Sequence, residues 1–338
     1  MKAVGLYRYL PITDPDALLD LDIPVPNPEA HDVLVKVEAI AVNPVDTKVR
    51  APKEKIEATA RILGWDASGT VIAVGESVSL FKVGDKVYYA GSITRAGANS
   101  EYHLVDERIA ALKPQSLNFA EAAALPLTAI TAWEALFERL KISLEGFDTG
   151  KSILIIGGAG GVGSIAIQLT STLANLHVIA TASRPESAAW CLKLGANDII
   201  DHRTDMAAQL ADLGHATVDY VLCLNDTDAH FPTMAKVIAP QGTICTIVEN
   251  SHPLDIALLK SKSAGFVWEF MFTRAMYQTA DMIAQHQLLT QVAQLIDIGT
   301  LQTTVGKTLS PINAANLKLA HAELEAGRSI GKIVLTGF

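Results

Sequence analysis

The segment SILIIGGAGGVGSIAIQL, residues 152–169, constrains the fold more than any other in the chain. Four apolar residues, Ile153 to Ile156, run into a cluster of glycines, and an apolar stretch with helical character comes next. Gly158, Gly160 and Gly163 make a G-x-G-x-x-G pattern, with Gly161 and Val162 between the last two. Placed after a strand and at the start of a helix, that pattern reads as a dinucleotide-binding loop. One glycine permits the tight turn, another lets a pyrophosphate approach the backbone, and the third lets helix and strand pack closely. The free N–H groups and positive end of the helix then face the phosphates. In NAD-binding versions an acidic residue ~20 positions on receives the ribose 2′-hydroxyl. Here the text is IATASRPES, which offers Ser183 and Arg184 and no carboxylate until Glu186, beyond Pro185. Hydroxyl and guanidinium donors match a 2′-phosphate, so the expected cofactor is NADP(H). Asn225, in CLNDTD after a later strand, is a candidate cofactor contact or a turn residue.

From Lys151 onward, strands and helices alternate: HVIATAS, PESAAWCLKLGA, DIIDHR, VDYVLCL, HFPTMAKVIAPQG, TICTIVEN. Such alternation predicts an α/β class, a doubly wound parallel sheet with helices on both faces. Residues 1–115 read differently. Val33, Val35 and Val37 alternate with Leu34, Lys36 and Glu38, and short β runs are punctuated by glycine, which predicts a compact antiparallel, barrel-like domain. Between the two lies NFAEAAALPLTAITAWEALFERL, where Asn118 and Glu121 have the spacing of a capping box and Pro126 should kink or split the helix. After about residue 265 the chain reads as mostly helical. Met282, Leu289, Val292 and Ile296 mark one helical face and Leu317, Ala320 and Leu324 another, before a closing strand GKIVL. At 338 residues the chain exceeds what one core usually serves. The expected division is 1–127, 128–266 and 267–338.

The composition excludes several classes. Hydrophobic residues make up 49% of the chain, ample for buried cores, yet no apolar run reaches the ~18 residues of a membrane span. The N-terminus lacks the pattern of a secretory signal. A net charge of −9 with scattered basic residues argues against nucleic acid as a partner. Cys191, Cys223 and Cys245 are odd in number and widely spaced, which predicts buried free thiols, not a disulfide framework. The expectation is a cytoplasmic protein.

The segments AVNPVDTKVR, LGWDASG, AAALPLTAITAWE, GGAGGVGSIAIQL, IATASRPES, LGANDIIDH, WEFMFTR and GKIVL together resemble the medium-chain dehydrogenase/reductase superfamily. Within it the chain looks closest to the zinc-independent quinone oxidoreductase branch and its zinc-type alcohol dehydrogenase-like proteins. The resemblance spans essentially the whole chain. It implies a catalytic domain related to the chaperonin-10 barrel, completed by the C-terminal segment, with a Rossmann domain inserted and a cleft for nicotinamide and substrate. It places Thr131 near the nicotinamide mononucleotide phosphate; otherwise Thr131 is an ordinary helix residue. Relatives are commonly homodimers, and an edge strand of the Rossmann sheet, TICTIVEN and the residues after it, offers a surface for two-fold pairing.

The same resemblance tests for zinc. A catalytic site takes three protein ligands of thiolate, imidazole or carboxylate type. The positions of the family's cysteine, histidine and second cysteine hold Asn43, Trp65 and Leu127. YYAGSITRAGANSEYHLV lacks the four cysteines of the structural-zinc lobe, and Asp66 alone does not make a site. No catalytic or structural metal is expected. A cofactor that brings its own hydride then suits acceptors whose charge delocalises, namely quinones and α,β-unsaturated carbonyls. Asn43 is the candidate donor to an acceptor oxygen or an organiser of its turn. Asp46 either orients a hydroxyl, ribose or water, or makes a structural hydrogen bond. Trp65 either forms an aromatic wall for a flat acceptor or fills the vacated metal position. Phe270 or Phe272, in WEFMFTR, either lines the cleft rim or, the stronger reading, belongs to a core aromatic stripe.

Overall fold

The computed structural model describes residues 1–338. The chain forms two compact units, one made of residues 1–130 with 272–338 and the other of residues 131–271. The boundaries thus fall at 130/131 and 271/272 instead of 127/128 and 266/267. The helix Pro126–Trp133 runs unbroken across the first boundary, and the strand Gly265–Trp268 belongs to the second unit's sheet.

That sheet has six parallel strands: Ser152–Ile156, His177–Thr181, Asp198–Ile200, Val218–Cys223, Ile238–Thr246 and Gly265–Trp268. Counted in chain order, they lie across the sheet as 3-2-1-4-5-6, with every pairing parallel. This is the doubly wound dinucleotide-binding order, whose switch point lies beside the first strand. Ser152–Ile156 is buried throughout, which explains its unbroken apolar run. Leu154, Ile179, Val221 and Ile244 of the sheet pack in one core cluster with Phe231 and Met234 of the helix Thr227–Val237. The TICTIVEN strand is internal, because Gly265–Trp268 covers its outer side. Periodicity alone places the start of a helical region there.

The first unit holds two sheets. Leu19–Asp22, Lys2–Tyr9 and Lys53–Ile62 form a small antiparallel one. The larger has seven strands. Along its path lie Val305–Leu309, Lys332–Thr336, Asp32–Ala41, Ala67–Val74, Lys86–Tyr89 and Ala110–Leu112, and Tyr102–Asp106 also pairs with Asp32–Ala41. All its pairings are antiparallel except the first, Val305–Leu309 with Lys332–Thr336, which is parallel. The helix Ala314–Glu325 lies between those two strands in sequence. The register Val334↔Ala41, with Val42 N–H donating to Ile333 O at 3.0 Å, brings Lys332 beside Asn43.

Asn118 caps the helix Phe119–Ala123 with Glu121, and the chain is split at Pro126, as its missing N–H dictates. Pro126–Trp133 continues into a π-helical turn, Glu134–Arg139. Met282, Leu289, Val292 and Ile296 are buried as expected. On the last helix Leu317, Ala320 and His321 are buried, whereas Leu324 is only half-buried. The three cysteines are free and buried. No helix is long and apolar enough to cross a membrane.

Candidate functional site

In the second unit the glycines between the first strand and the helix Gly161–Thr172 divide their tasks in a way the spacing alone does not show. The tight turn belongs to Gly157, at φ +90°, a conformation that side chains disfavour. A Cβ on Gly163 would lie 2.4 Å from Gly157 O, so Gly163 is the glycine that lets the helix pack onto the loop. A Cβ on Gly158 would meet Ala180 Cβ at 2.8 Å, which ties the loop to the second strand. Gly160 is the N-cap, and a Cβ there would make only an ordinary 3.5 Å contact with Gly157 O. Gly160, Gly161 and Val162 are half-buried. The first N–H groups of a helix lack intrahelical partners and sit at its positive end. The residues therefore fit a pyrophosphate: unpaired donors, a glycine at the point of approach, and a fixed backbone. That backbone is held by Gly157 N–H to Thr181 Oγ1 at 3.0 Å and by Leu224 N–H to Ile156 O at 3.0 Å.

Ser183 and Arg184 come directly after the second strand and are half-buried. Arg184 caps the helix Pro185–Lys193, its N–H donating to Ser187 Oγ at 3.2 Å. Sequence reasoning missed Arg203. Its Nη2 donates to Ser183 O at 2.7 Å, and its fork grips Asp201 through Nη2–Oδ2 at 2.7 Å and Nε–Oδ1 at 3.1 Å. Arg203 holds the Asp201 carboxyl down at about 2. In a 3-2-1 strand order the end of the third strand lies beside the end of the second, so DHR after that strand was the available signal. Asn225 is exposed, and its Cβ lies 3.9 Å from the Cβ position of Gly157. Thr131 is buried in the helix Pro126–Trp133.

In the first unit the candidate Asn43 meets a residue that the sequence shows only as part of a closing strand. The Lys332 ammonium is 3% exposed and donates to Val42 O at 2.9 Å, to Asp66 Oδ2 at 2.9 Å and to Asn43 Oδ1. Asn43 Nδ2 donates to the same Asp66 oxygen at 2.9 Å, and Leu127 N–H donates to Asp66 Oδ1 at 2.8 Å. Burial raises the Asp66 carboxyl above the ordinary range, only partly offset by Lys332, Asn43 and the Leu127 N–H. Asp46, at the first turn of the helix Pro44–Arg50, accepts the Asn43 N–H on Oδ2 at 2.6 Å; its Oδ1 makes no well-formed hydrogen bond, and the Gly64 N–H is only a weak further donor to the carboxyl. Burial pushes Asp46 up to about 7.

Both ends of the Asn43 amide are engaged, so in this geometry it organises the cluster. Trp65 is fully buried; its Nε1–H donates to Ser92 O at 3.1 Å, and its ring meets Phe272 edge-on at 6.1 Å. This is the packing alternative. Phe270 is exposed. Tyr88 donates to Leu289 O at 2.6 Å and Tyr89 Oη lies 3.1 Å from His103 Nδ1, both tyrosines buried. The donor set does not fit zinc. Asn43, Trp65 and Leu127 supply no thiolate or imidazole, and Asp66 is bonded to an ammonium.

A parallel 3-2-1-4-5-6 sheet with this glycine loop defines a dinucleotide-binding fold. Residues 29–115 match the alcohol dehydrogenase GroES-like domain and residues 194–335 the zinc-binding dehydrogenase domain. A zinc-type alcohol dehydrogenase-like protein of Staphylococcus aureus is 43% identical over 336 residues, covering 99% of both chains. A Rhizobium etli protein solved under the name of a zinc-dependent alcohol dehydrogenase is 51% identical with a TM-score of 0.96, covering 100% of this chain and 98% of that one. A mycobacterial protein solved with NADPH is 26% identical with a TM-score of 0.85, covering 99% of each. The chain belongs to the medium-chain dehydrogenase/reductase superfamily and is an oxidoreductase of that family.

Proposed function

We propose that the protein is an NADPH-dependent, zinc-independent reductase of quinones or α,β-unsaturated carbonyls. The observation that carries this reading is the Arg203 guanidinium bonded to Ser183 O, with Arg184 the next residue along the chain, where a carboxylate would serve NAD. NADPH, when bound, supplies the hydride. The N–H groups opening the helix Gly161–Thr172 hold the pyrophosphate, and Ser183, Arg184 and Arg203 hold the 2′-phosphate. Burial pushes Asp46 up to about 7, and Asn43 and Lys332 donate to Asp66 beside it. Reduction of a saturated carbonyl builds alkoxide charge that calls for a Lewis acid or a strong donor. An enone or quinone spreads that charge into an enolate or phenolate, which solvent can protonate. The groups around Lys332 are bonded to one another and include no zinc-type donor set, which supports the second class.

The test is NADPH oxidation against a panel of quinones, enones, saturated aldehydes and alcohols, with and without chelator and with metal analysis. Turnover of quinones or enones that chelator leaves unchanged is expected. Activity confined to saturated carbonyls, or dependent on added zinc, overturns the reading. Tight NADPH binding without turnover across the panel overturns its enzymatic part. For the cofactor, Arg184→Ala should weaken NADPH by about 1.5–3 kcal/mol, the worth of a hydrogen bond to a charged group, and leave NADH little changed. Equal losses for both refute the assignment.

A further inference from the structure

At the end of the parallel sheet opposite the glycine loop, three chemistry-bearing side chains meet. His177 opens the second strand, Asp198 opens the third, and His215 precedes the fourth. One ligand atom from each lies within 4.8 Å of the others, and all three residues are half-buried. His177 Nε2 and Asp198 Oδ2 are 2.6 Å apart, and the two imidazole rings are centred 4.8 Å apart at 39°. The backbones are fixed. His177 N–H donates to Lys151 O at 2.8 Å, His215 N–H to Leu210 O at 2.8 Å, and Asp198 is in register with Ile179.

We propose that His177, Asp198 and His215 form a binding site for a divalent d-block cation, zinc foremost. Two imidazoles and a carboxylate are the donor set that zinc, cobalt and nickel favour. Bond lengths of ~2.0–2.2 Å to such ligands set neighbouring donor atoms roughly 3.3 Å apart around a four-coordinate ion. The triad therefore closes on a cation with small side-chain adjustments: Asp198 draws back slightly from His177 and His215 moves in. The cation takes the bridging place of the hydrogen bond between His177 Nε2 and Asp198 Oδ2, and the neutral ring then carries its proton on Nδ1. A solvent molecule completes the shell, since only three protein ligands converge. The amino ends of these strands face away from the dinucleotide loop, so the cation pins the sheet and takes no part in hydride transfer. It is also separate from the Asn43–Trp65–Leu127 positions, which do not fit zinc.

The full chain, dialysed against chelator and then freed of it, is titrated with zinc by calorimetry and with cobalt(II) by visible absorption. The expected result is one equivalent bound, a cobalt d–d band, and a higher melting temperature with zinc, with NADPH binding unchanged. Losing even an outer-shell partner of a metal ligand costs ~10–100-fold in affinity. His177→Asn, Asp198→Asn and His215→Asn should each lose roughly tenfold or more on that scale, and the triple variant should lose the band. Circular dichroism in chelator confirms that each variant folds; if one does not, the other two carry the comparison. Less than one equivalent of zinc bound, or single variants that bind as wild type does, overturns the site. Neither result bears on the cofactor or acceptor assignment.

Discussion

Asp46→Asn should change the pH dependence of stability in a direction that can be worked from the structure. Asp46 is fully buried, and burial pushes its carboxyl from the ordinary 3.8 up to about 7. Between these values the folded chain keeps a proton that the unfolded chain has lost. Stability therefore falls as pH rises through that window, is fully present below the unfolded value, and is gone above the folded one. At ~1.4 kcal/mol per pKa unit, the loss attributable to this one group is about 4 kcal/mol. Asparagine copies the neutral form. Its Oδ1 can still accept the Asn43 N–H that now reaches Asp46 Oδ2 at 2.6 Å, while its Nδ2 falls where Oδ1 makes no well-formed hydrogen bond. That unmade bond costs about 1–3 kcal/mol at every pH. The net gain over wild type above neutrality is then ~1–3 kcal/mol by the same comparison, and it disappears or reverses in acid. Urea unfolding monitored by circular dichroism from about pH 5 to about pH 8 measures the gap between the two proteins. Asp66 is shifted in the same direction and remains in the variant, so the slope shrinks without vanishing. Parallel curves for variant and wild type would falsify the assignment of a retained proton to Asp46.

The same geometry sets the remaining expectations. Gly163→Ala puts a Cβ 2.4 Å from Gly157 O, whereas Gly160→Ala meets the same atom at 3.5 Å; the first should unfold or strongly destabilise the second unit, and the second should fold but bind NADPH poorly. Equal thermal stability of the two variants would count against the packing role of Gly163. Lys332→Met leaves the Asp66 carboxylate buried without its ammonium, at a cost of ~3–5 kcal/mol for one broken partner of a buried pair. Adding Asp66→Asn removes the orphaned charge and should recover at least half of that loss, because replacing both partners is far milder than breaking one. Additive losses in the double variant, read from urea midpoints, would show that the pair is not coupled. Arg203→Ala removes the donor to Ser183 O and should raise the dissociation constant for NADPH by roughly tenfold while sparing NADH.

How much of this was legible in the sequence depended on range. The glycine loop, the alternation of strands and helices, and the split at Pro126 are local patterns, and each is encoded by residues that lie next to one another. The helix Ala314–Glu325 shows the limit of periodicity. A leucine at 324 reads as core, but His321 takes the buried place, bonded at Nδ1 to the buried Arg50 Nε at 3.3 Å. No hydropathy pattern predicts that a histidine is buried by a partner 271 residues away. Arg203 was hidden for a similar reason, since its relation to Ser183 exists only once the strand order is known. The edge of the parallel sheet was misplaced because Gly265–Trp268 is a four-residue strand, too short for its alternation to stand out from the helical text around it.

That positions 43, 65 and 127 hold no thiolate or imidazole was visible as letters, but what surrounds Asn43 was not. Lys332 reaches Asn43 across 289 positions, through a strand pairing that the text GKIVL does not announce. The charge count then explains the perturbed carboxylate. A metal dication could balance two carboxylates, whereas one ammonium balances one. Lys332 bonds directly to Asp66 and acts on Asp46 only through space. Two buried carboxylates sharing a single cation cannot both ionise cheaply, and both are raised above the ordinary carboxylate range. Asp46 has an oxygen without a well-formed hydrogen bond, and Asp66 accepts from three donors. The raised pKa of Asp46 therefore follows from burying two carboxylates beside a single ammonium at this point in the fold.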